Sequence, residues 1–403
     1  MIPALRFSKF KSEYLPKTID EIAKVTSGGT PSRAKADYWN GHIPWVTTSQ
    51  INFKDITVAD EYITDLGLKK SSAKLFPKGT ILLALYGQGI TRGRVSVLEI
   101  EATTNQACAA IILESEDVNT RFTFYYLQSK YEDIRNLANN GGQKNLSGGL
   151  VKCLPVVLPS DVMEQTKVAD FLTSVDTKIS QLTEKRRLLK DYKKGVMQQI
   201  FSQQIRFKDD DGKVFPDWNM HKLIDIAEPI KRKADRVIDN VMTISAGKGF
   251  LHQNDRFSQV IAGTSLNKYI HLKRGEFAYN RGNSKSYTYG CIYRLEAEEA
   301  LIPFVYRSFK LSKGVEGFFA QLFTMKYLDK QLRRLISSSA RMDGLLNIGE
   351  KDFYQVKVPF PCIKEQQKIA RCLQSLDKKI DAVNDQIEQT KLFKKGLLQQ
   401  MFV

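Results

Sequence analysis

The chain repeats one long helical segment without a gap. Residues 164–201 read EQTKVADFLTSVDTKISQLTEKRRLLKDYKKGVMQQIF and residues 365–402 read EQQKIARCLQSLDKKIDAVNDQIEQTKLFKKGLLQQMF, with 16 of 38 positions identical at a constant offset of 201. Upstream, Asn145-Leu146 and Val156-Val157-Leu158-Pro159 find counterparts in Asn347-Ile348 and Val356-Lys357-Val358-Pro359 across a small indel. A fainter echo opens each half, where Arg6-Phe7, Tyr14, Ile19 and Ile22 answer to Arg206-Phe207, Trp218, Leu223 and Ile226. Between these anchors, residues 23–144 and 227–346 share almost nothing. Drift alone would not erase the inserts while sparing the helices, so the pattern reads as two equivalent mounts carrying two different readers.

Charge narrows what is read. Sixty-one Lys and Arg face 44 Asp and Glu, a formal +17, and both halves share the excess: 27 basic against 21 acidic groups in residues 1–201, 34 against 23 in residues 202–403. A polyanionic partner follows, nucleic acid ahead of membrane, with a merely soluble basic protein as the plain alternative. With 403 residues, 42% of them hydrophobic, the chain can build two or three folded units. The longest strongly apolar run, Ile81 to Tyr86, is too short to cross a bilayer. Met1 to Arg6 carry no export pattern, so the expected location is cytoplasmic. Cys108, Cys153, Cys291, Cys362 and Cys372 form no CxxC pair and the four histidines lie far apart, so no metal site and no disulfide framework is expected.

In the first helical segment apolar residues fall at Val168, Leu172, Val175, Ile179, Leu182 and Leu189, then Val196 and Ile200, broken by Arg186 and Lys193. In the second they fall at Ile369, Leu373, Leu376, Ile380, Val383 and Ile387, then Leu397 and Met401, broken by Thr390 and Lys394. Steps of four and three make a 3.5-residue period, the mark of a coiled-coil seam. At about 36 residues and 1.5 Å per residue, each helix is roughly 54 Å long. The stripes must be buried, either against each other or each on its own insert. Sequence leaves the direction of pairing open, while two mounts placed on the pseudo-dyad of duplex DNA favour antiparallel packing.

Each insert reads as a compact α+β domain. Strand-like runs are Ile43–Thr48, Gly79–Tyr86 and Ala107–Leu113 in the first, and Val241–Ile244, Glu276–Asn280 and Gly290–Arg294 in the second. Helices are expected over Arg121–Leu137, Pro303–Leu311 and Tyr327–Ile336. Polar loops rich in glycine supply candidate DNA contacts: Thr47, Thr48, Ser49 and Gln50; Tyr86, Gln88, Arg92 and Arg94; Gln143 and Lys144; and Arg33. The second insert offers Lys231, Ser245, Lys248, Arg281, Asn283, Ser284, Lys285 and Arg341. Gln and Asn pair with adenine, Arg with guanine, and Ser, Thr and Lys with phosphate. Such loops are equally ordinary turns, and Lys231-Arg232-Lys233 is either a phosphate clamp or a solvated face. No phosphate-binding GxxxxGK[ST] loop, GxSxG elbow, Asn-Pro-Pro-aromatic tetrapeptide or PD-(D/E)xK pattern occurs, so no catalytic residue is expected in this chain.

Over essentially its full length the chain resembles the specificity (S) subunit of type I restriction-modification systems. The resemblance rests on Ser27-Gly28-Gly29-Thr30-Pro31-Ser32-Arg33, on Tyr38-Trp39-Asn40-Gly41-His42-Ile43-Pro44-Trp45-Val46-Thr47, on Thr104-Asn105-Gln106, and on Leu158-Pro159 with Glu164-Gln165. In the second half Phe215-Pro216-Asp217-Trp218 and Pro359 with Glu365-Gln366 correspond, but no Gly-Gly-Thr-Pro element does. The resemblance implies an α+β fold: two mixed α/β target-recognition domains (1–155 and 204–357) separated and joined by two long antiparallel coiled-coil helices (156–203 and 358–403), as a pseudo-two-fold repeat. It implies a chain without its own active site that reads a split site in double-stranded DNA. Its partners would be two methyltransferase subunits, which methylate adenine at N6, and two restriction subunits that translocate and cleave. S-adenosylmethionine, ATP and magnesium would be bound by those partners. A stand-alone nucleic-acid-modifying enzyme and a coiled-coil protein-binding scaffold are the competing readings.

Overall fold

The computed structural model describes residues 2–87, 90–137, 145–256, 263–336 and 345–403. It divides into unit 1, Met1–Thr183 with Asp385–Val403, and unit 2, Glu184–Asn384. Unit 1 contains strands β1 (Tyr14–Thr18), β2 (Ala23–Ser27), β3 (Trp39–Val46), β4 (Asp55–Ile56), β5 (Glu61–Ile63), β6 (Leu75–Phe76), β7 (Ile81–Ala84), β8 (Val95–Leu98), β9 (Ala102–Thr104), β10 (Cys108–Leu113) and β11 (Pro155–Pro159). Its helices are α1 (Ile19–Ile22), α2 (Asp65–Lys69), α3 (Thr120–Ser129), α4 (Tyr131–Asn136), α5 (Gly148–Lys152) and the first part of α6 (Val162–Phe201). Unit 2 contains β12 (Asn219–Lys222), β13 (Ala227–Pro229), β14 (Met242–Ser245), β15 (Gly249–His252), β16 (Ile270–Lys273), β17 (Phe277–Asn280), β18 (Cys291–Arg294), β19 (Glu299–Ile302), β20 (Arg307–Leu311) and β21 (Lys357–Phe360). Its helices are α7 (Gln253–Arg256), α8 (Glu316–Thr324), α9 (Asp329–Leu335), α10 (Glu350–Tyr354) and the first part of α11 (Ile363–Met401).

The inserts share a topology although they share almost no sequence. In unit 1 the main sheet runs β2-β10-β7-β8 with β4 at its edge, and in unit 2 it runs β13-β20-β17-β18. The pairs β2/β10, β10/β7 and β7/β8 are antiparallel, as are β13/β20, β20/β17 and β17/β18. A second layer repeats too: β3 pairs parallel with β9, and Val241 makes a parallel bridge to Leu301. Along β7 the pleat sends Ile81 and Leu83 into one apolar cluster with α3 and α6, and Leu82 and Ala84 into another with Val46 and Phe76. A strand buried on both faces reads as an unbroken apolar run, as Ile81–Ala84 does.

Three sequence expectations are corrected here. Pro303–Leu311 is not a helix; Arg307–Leu311 is strand β20, hydrogen-bonded between β13 and β17. A short apolar run is compatible with either element, and the sheet's need for a central strand decides it. Arg121–Leu137 is two helices, α3 and α4, separated at Lys130, whose backbone (φ −92°, ψ 13°) leaves the helical range. The long helices begin at Val162 and Ile363, and residues 155–159 and 357–360, partly expected in the spacer, form mount strands β11 and β21. Of the cysteines, Cys108 and Cys291 are buried; burial pushes the Cys108 thiol up to about 12.

The mount is built twice from the same residue types. β1 pairs with β11 and β12 with β21. Fully buried Glu164 accepts from Arg6 Nε (2.7 Å), Ser12 Oγ (2.5 Å) and Tyr14 Oη (3.1 Å); fully buried Glu365 accepts from Arg206 Nε (2.8 Å) and Trp218 Nε1 (3.0 Å). Next in each chain segment, Gln165 donates to Pro159 O (2.9 Å) and Gln366 to Pro361 O (2.8 Å), while their Oε1 atoms accept from Asn119 N and Val315 N (both 2.8 Å). Each helix start is thereby tied to the strand before it and to the loop ahead of α3 or α8.

The seam residues are buried in both ways that the sequence left open. Val168, Leu172 and Val175 join the core of unit 1, and that same core contains Leu397, Met401 and Phe402 from the end of α11. Ile369, Leu373 and Leu376 join the core of unit 2 together with Met197, Ile200 and Phe201 from the end of α6. Leu182, Ile380, Val383 and Ile387 are buried, and Ile179 and Leu189 half-buried. Within unit 2, Arg186 donates to Asn384 Oδ1 (3.2 Å) and Lys193 pairs with Asp377 (2.6 Å): seven residues forward on one helix is seven back on the other, so the segments run antiparallel. Within unit 1, Lys394 pairs with Asp176 (2.7 Å), and the three pairs all sum to 570. The breaks at Lys193 and Lys394 are therefore ion-pair positions, occupied crosswise by residues identical in the two repeats.

Lys394 is 8% exposed, and it also lies over the Tyr125 ring and donates to Gln128. Burial pulls its pKa below the usual lysine value, and Asp176 only partly restores it. Asp176→Ala should lower stability by about 2 kcal/mol by stranding this ammonium. The exchange Asp176→Lys with Lys394→Asp should recover part of that loss, as read from urea-unfolding midpoints; no recovery would contradict the pairing. Burial opposes ionisation of Glu164, but its bonds from Arg6, Ser12 and Tyr14 outweigh this and hold its carboxyl below the ordinary range. The resulting stabilisation is complete above the unfolded pKa and fades as pH falls through the lower folded value. Melting temperatures followed downward from pH 6 should therefore fall less steeply for Glu164→Gln than for the unsubstituted protein.

Candidate nucleic-acid interface

In unit 1 three separate sequence elements converge around Arg33. Gly29 N donates to Thr104 O (2.8 Å), Trp45 Nε1 donates to Gly29 O (3.0 Å), and Thr30 Oγ1 meets Gln106 Oε1 (2.5 Å). A Cβ on Gly28 would stand 2.0 Å from Thr104 O, so only glycine permits this approach. The Arg33 guanidinium lies 3.7 Å over the Trp39 ring and pairs with Glu61, an exposed but oriented cation. Thr47 Oγ1 and Ser49 Oγ bond to each other (2.6 Å), and Thr48 is half-buried beside them. Gln50 staples its own loop, donating to Val58 O (3.1 Å) and accepting from Asp60 N (3.3 Å), so its amide is already engaged.

The β7–β8 connection brings further candidates together. Gly93 N donates to Ala84 O (2.9 Å), closing the loop, and Tyr131 Oη donates to Ile90 O (2.5 Å), seating it on α4. Tyr86 is exposed, Arg92 donates to Arg135 O (3.0 Å), and Arg94 lies 5.8 Å from the Phe53 ring. Leu146 N donates to Leu85 O (3.0 Å), which sets the segment entering α5 beside this loop. Gln88, Gln143, Lys144 and Arg341 lie outside the described residues.

Unit 2 makes the same juxtaposition with other side chains. Leu346 N donates to Arg281 O (3.0 Å) and Gly282 bridges to Leu345, so the β17–β18 connection lies beside the segment entering α10. On that connection Asn283 and Lys285 are exposed and Ser284 Oγ accepts from Tyr287 N (3.1 Å). Ser245 and Lys248 occupy the β14–β15 turn, where Lys248 N donates to Ser245 O (3.0 Å). Of the basic triplet, Lys231 is exposed and 3.4 Å from Glu350, Arg232 pairs with Glu276 (2.7 Å), and Lys233 donates to Tyr269 O (3.2 Å). Two of the three are thus committed internally.

The family model described as "Type I restriction modification DNA specificity domain" matches residues 11–190 and 253–391. The chain belongs to this family. The type I restriction enzyme EcoR124I/EcoR124II specificity subunit of Escherichia coli is 29% identical over 171 residues, 42% of this chain and 42% of that protein. The MjaVIII specificity subunit of Methanocaldococcus jannaschii is 23% identical over 414 aligned positions, covering 94% of this chain and 90% of its own. In fold, the chain is similar to the type I restriction-modification S subunit from M. genitalium, with a TM-score of 0.60 at 17% identity over 100% of this chain and 99% of that one. Among the described residues, no group of three or more His, Cys, Asp or Glu has metal-binding geometry, and no helix is long and apolar enough to cross a membrane.

Two further candidate residues carried no sequence signal. Lys326 lies 4.8 Å over the Tyr287 ring and donates to Ser286 O (2.5 Å), bracing the β17–β18 connection from α8's end. Arg307 sits inside strand β20, where the expectation of a helix hid it. Around Arg33, Gly28→Ala should cost about 2 kcal/mol by forcing Thr104 backbone away, whereas Gly148→Ala, with open space around it, should be nearly neutral. Thermal unfolding of the two variants checks this; equal melting temperatures would contradict the packed motif.

Proposed function

We propose that this chain is the non-catalytic DNA-specificity subunit of a type I restriction-modification complex. Each unit reads one half of a bipartite duplex site, and the helix pair sets the unread spacer between the halves. The helices' exposed faces dock two methyltransferase subunits, with two translocating endonuclease subunits joining the assembly. In this reading S-adenosylmethionine, ATP and magnesium act on those partners, and the complex works in the cytoplasm.

The observation that carries the reading is the repeated juxtaposition of two loops on a shared sheet, Leu85 with Leu146 and Arg281 with Leu346, dressed with different side chains. One topology with two surfaces is what two independent half-site readers need. The excess of 17 positive charges supports a polyanion as the common partner. Methylated adenines should be mapped in cells with and without the chain, and again after residues 23–144 are exchanged for another family insert. One bipartite sequence should lose methylation without the chain, and the exchange should alter one half only. Alteration of both halves would contradict modular reading, and methylation by the purified chain alone would favour a stand-alone enzyme.

A further inference from the structure

Unit 2 contains a cleft of about 430 Å³ lined by Lys231, Arg281, Arg307, Ser308, Glu350 and Tyr354, among others. Its charge is lopsided, with Lys231, Lys233, Arg281 and Arg307 set against Glu350 alone. The Arg307 side chain is 13% exposed and stands 3.9 Å from Glu350, while Arg281 donates to Val305 O (3.3 Å). Nε of Arg281, Nε of Arg307 and Oγ of Ser308 are buried without a protein partner, and Ser308 is only 4% exposed. Burial, and then the charge of Arg281, hold the Arg307 pKa below the ordinary arginine value. Two like charges with orphaned donors cost stability wherever nothing compensates them.

The fold does not require this pair. Leu346 bonds to Arg281 O as Leu146 bonds to Leu85 O, so Leu85 holds the place of Arg281 in unit 1. Two residues earlier Tyr279 pairs with Arg307, as Leu83 pairs with Ala109, so Ala109 holds the place of Arg307. The same sheet is thus built in unit 1 with leucine and alanine where unit 2 has two arginines. Guanidinium forks match phosphate oxygens, and Arg281 opens the β17–β18 connection that belongs to the candidate interface.

We propose that this cleft takes one backbone phosphate of the DNA bound by unit 2, clamped between Arg281 and Arg307, with Glu350 as the competing internal anion. The proposal rests on the DNA-specificity reading and adds a phosphate clamp at positions where unit 1 has Leu85 and Ala109. Duplex affinity is measured against salt concentration for the full-length chain with whatever subunits accompany it in its own cells. Arg281→Gln with Arg307→Gln should weaken binding on the order of tenfold at low salt and reduce the magnitude of the log–log salt slope by about 1. Glu350→Gln should strengthen binding, an outcome that misfolding does not imitate. An unchanged salt slope in the double variant, or weaker binding by Glu350→Gln, would overturn the clamp. Thermal stabilisation by inorganic phosphate that the double variant loses, with duplex binding untouched, would overturn it in favour of a free anion. Absence of sequence-preferring binding by the unsubstituted protein would instead count against the DNA-specificity reading itself.

Discussion

Phe201 and Phe402 occupy the same place in two copies of one helix, and each is buried in the core built around the other copy's insert. Phe402 meets Phe122 and Tyr126 of α3, while Phe201 meets Phe318 of α8. Neither repeat closes its own core; each is finished by the helix end of the other. That dependence explains why the helices are the part of the sequence that the duplication has kept. The same helix contributes its first half to one core and its last turns to the other.

Polar pairs give this arrangement its register. Apolar stripes alone tolerate sliding by a heptad, whereas a lysine that is 8% exposed tolerates no displacement from its carboxylate. Asp176 with Lys394 and Asp377 with Lys193 use residues identical in the two repeats, so one duplicated sequence supplies both halves of both bonds. The buried Glu-Gln steps at 164–165 and 365–366 do the complementary work at the other end, holding each insert against the start of its helix. With frame and register set this way, the inserts are free to differ in everything that faces a ligand while keeping one strand order.

The sequence made some of this legible and hid the rest for identifiable reasons. All twelve seam positions are buried or half-buried, because a 3.5-residue period is a local property of the chain. Ser27–Arg33 was legible only as a motif of the family resemblance, and the close approach of Gly28 to Thr104 emerges from the packing. Strand β20 was read as a helix because five residues carry too little periodicity to separate the two. Gln50 and Arg232 were read as outward-facing from their residue type, yet the Gln50 amide is spent on Val58 and Asp60 and the Arg232 Nη2 on Glu276. Residue type predicts what a side chain is able to bond, and only packing says whether a neighbour has already taken it.

By itself the sequence determined that this protein is a duplicated frame with two unlike inserts, two long seamed helices and a strongly basic character, since repetition, period and charge are written along the chain. Tertiary structure decided the antiparallel sense of the helices, the crosswise completion of the cores and the shared topology of the inserts. It also decided the meeting of Arg281 with Arg307 in one cleft. These depend on distances between residues remote in sequence, and such distances follow from how apolar faces and buried charges find partners in three dimensions rather than from any local pattern.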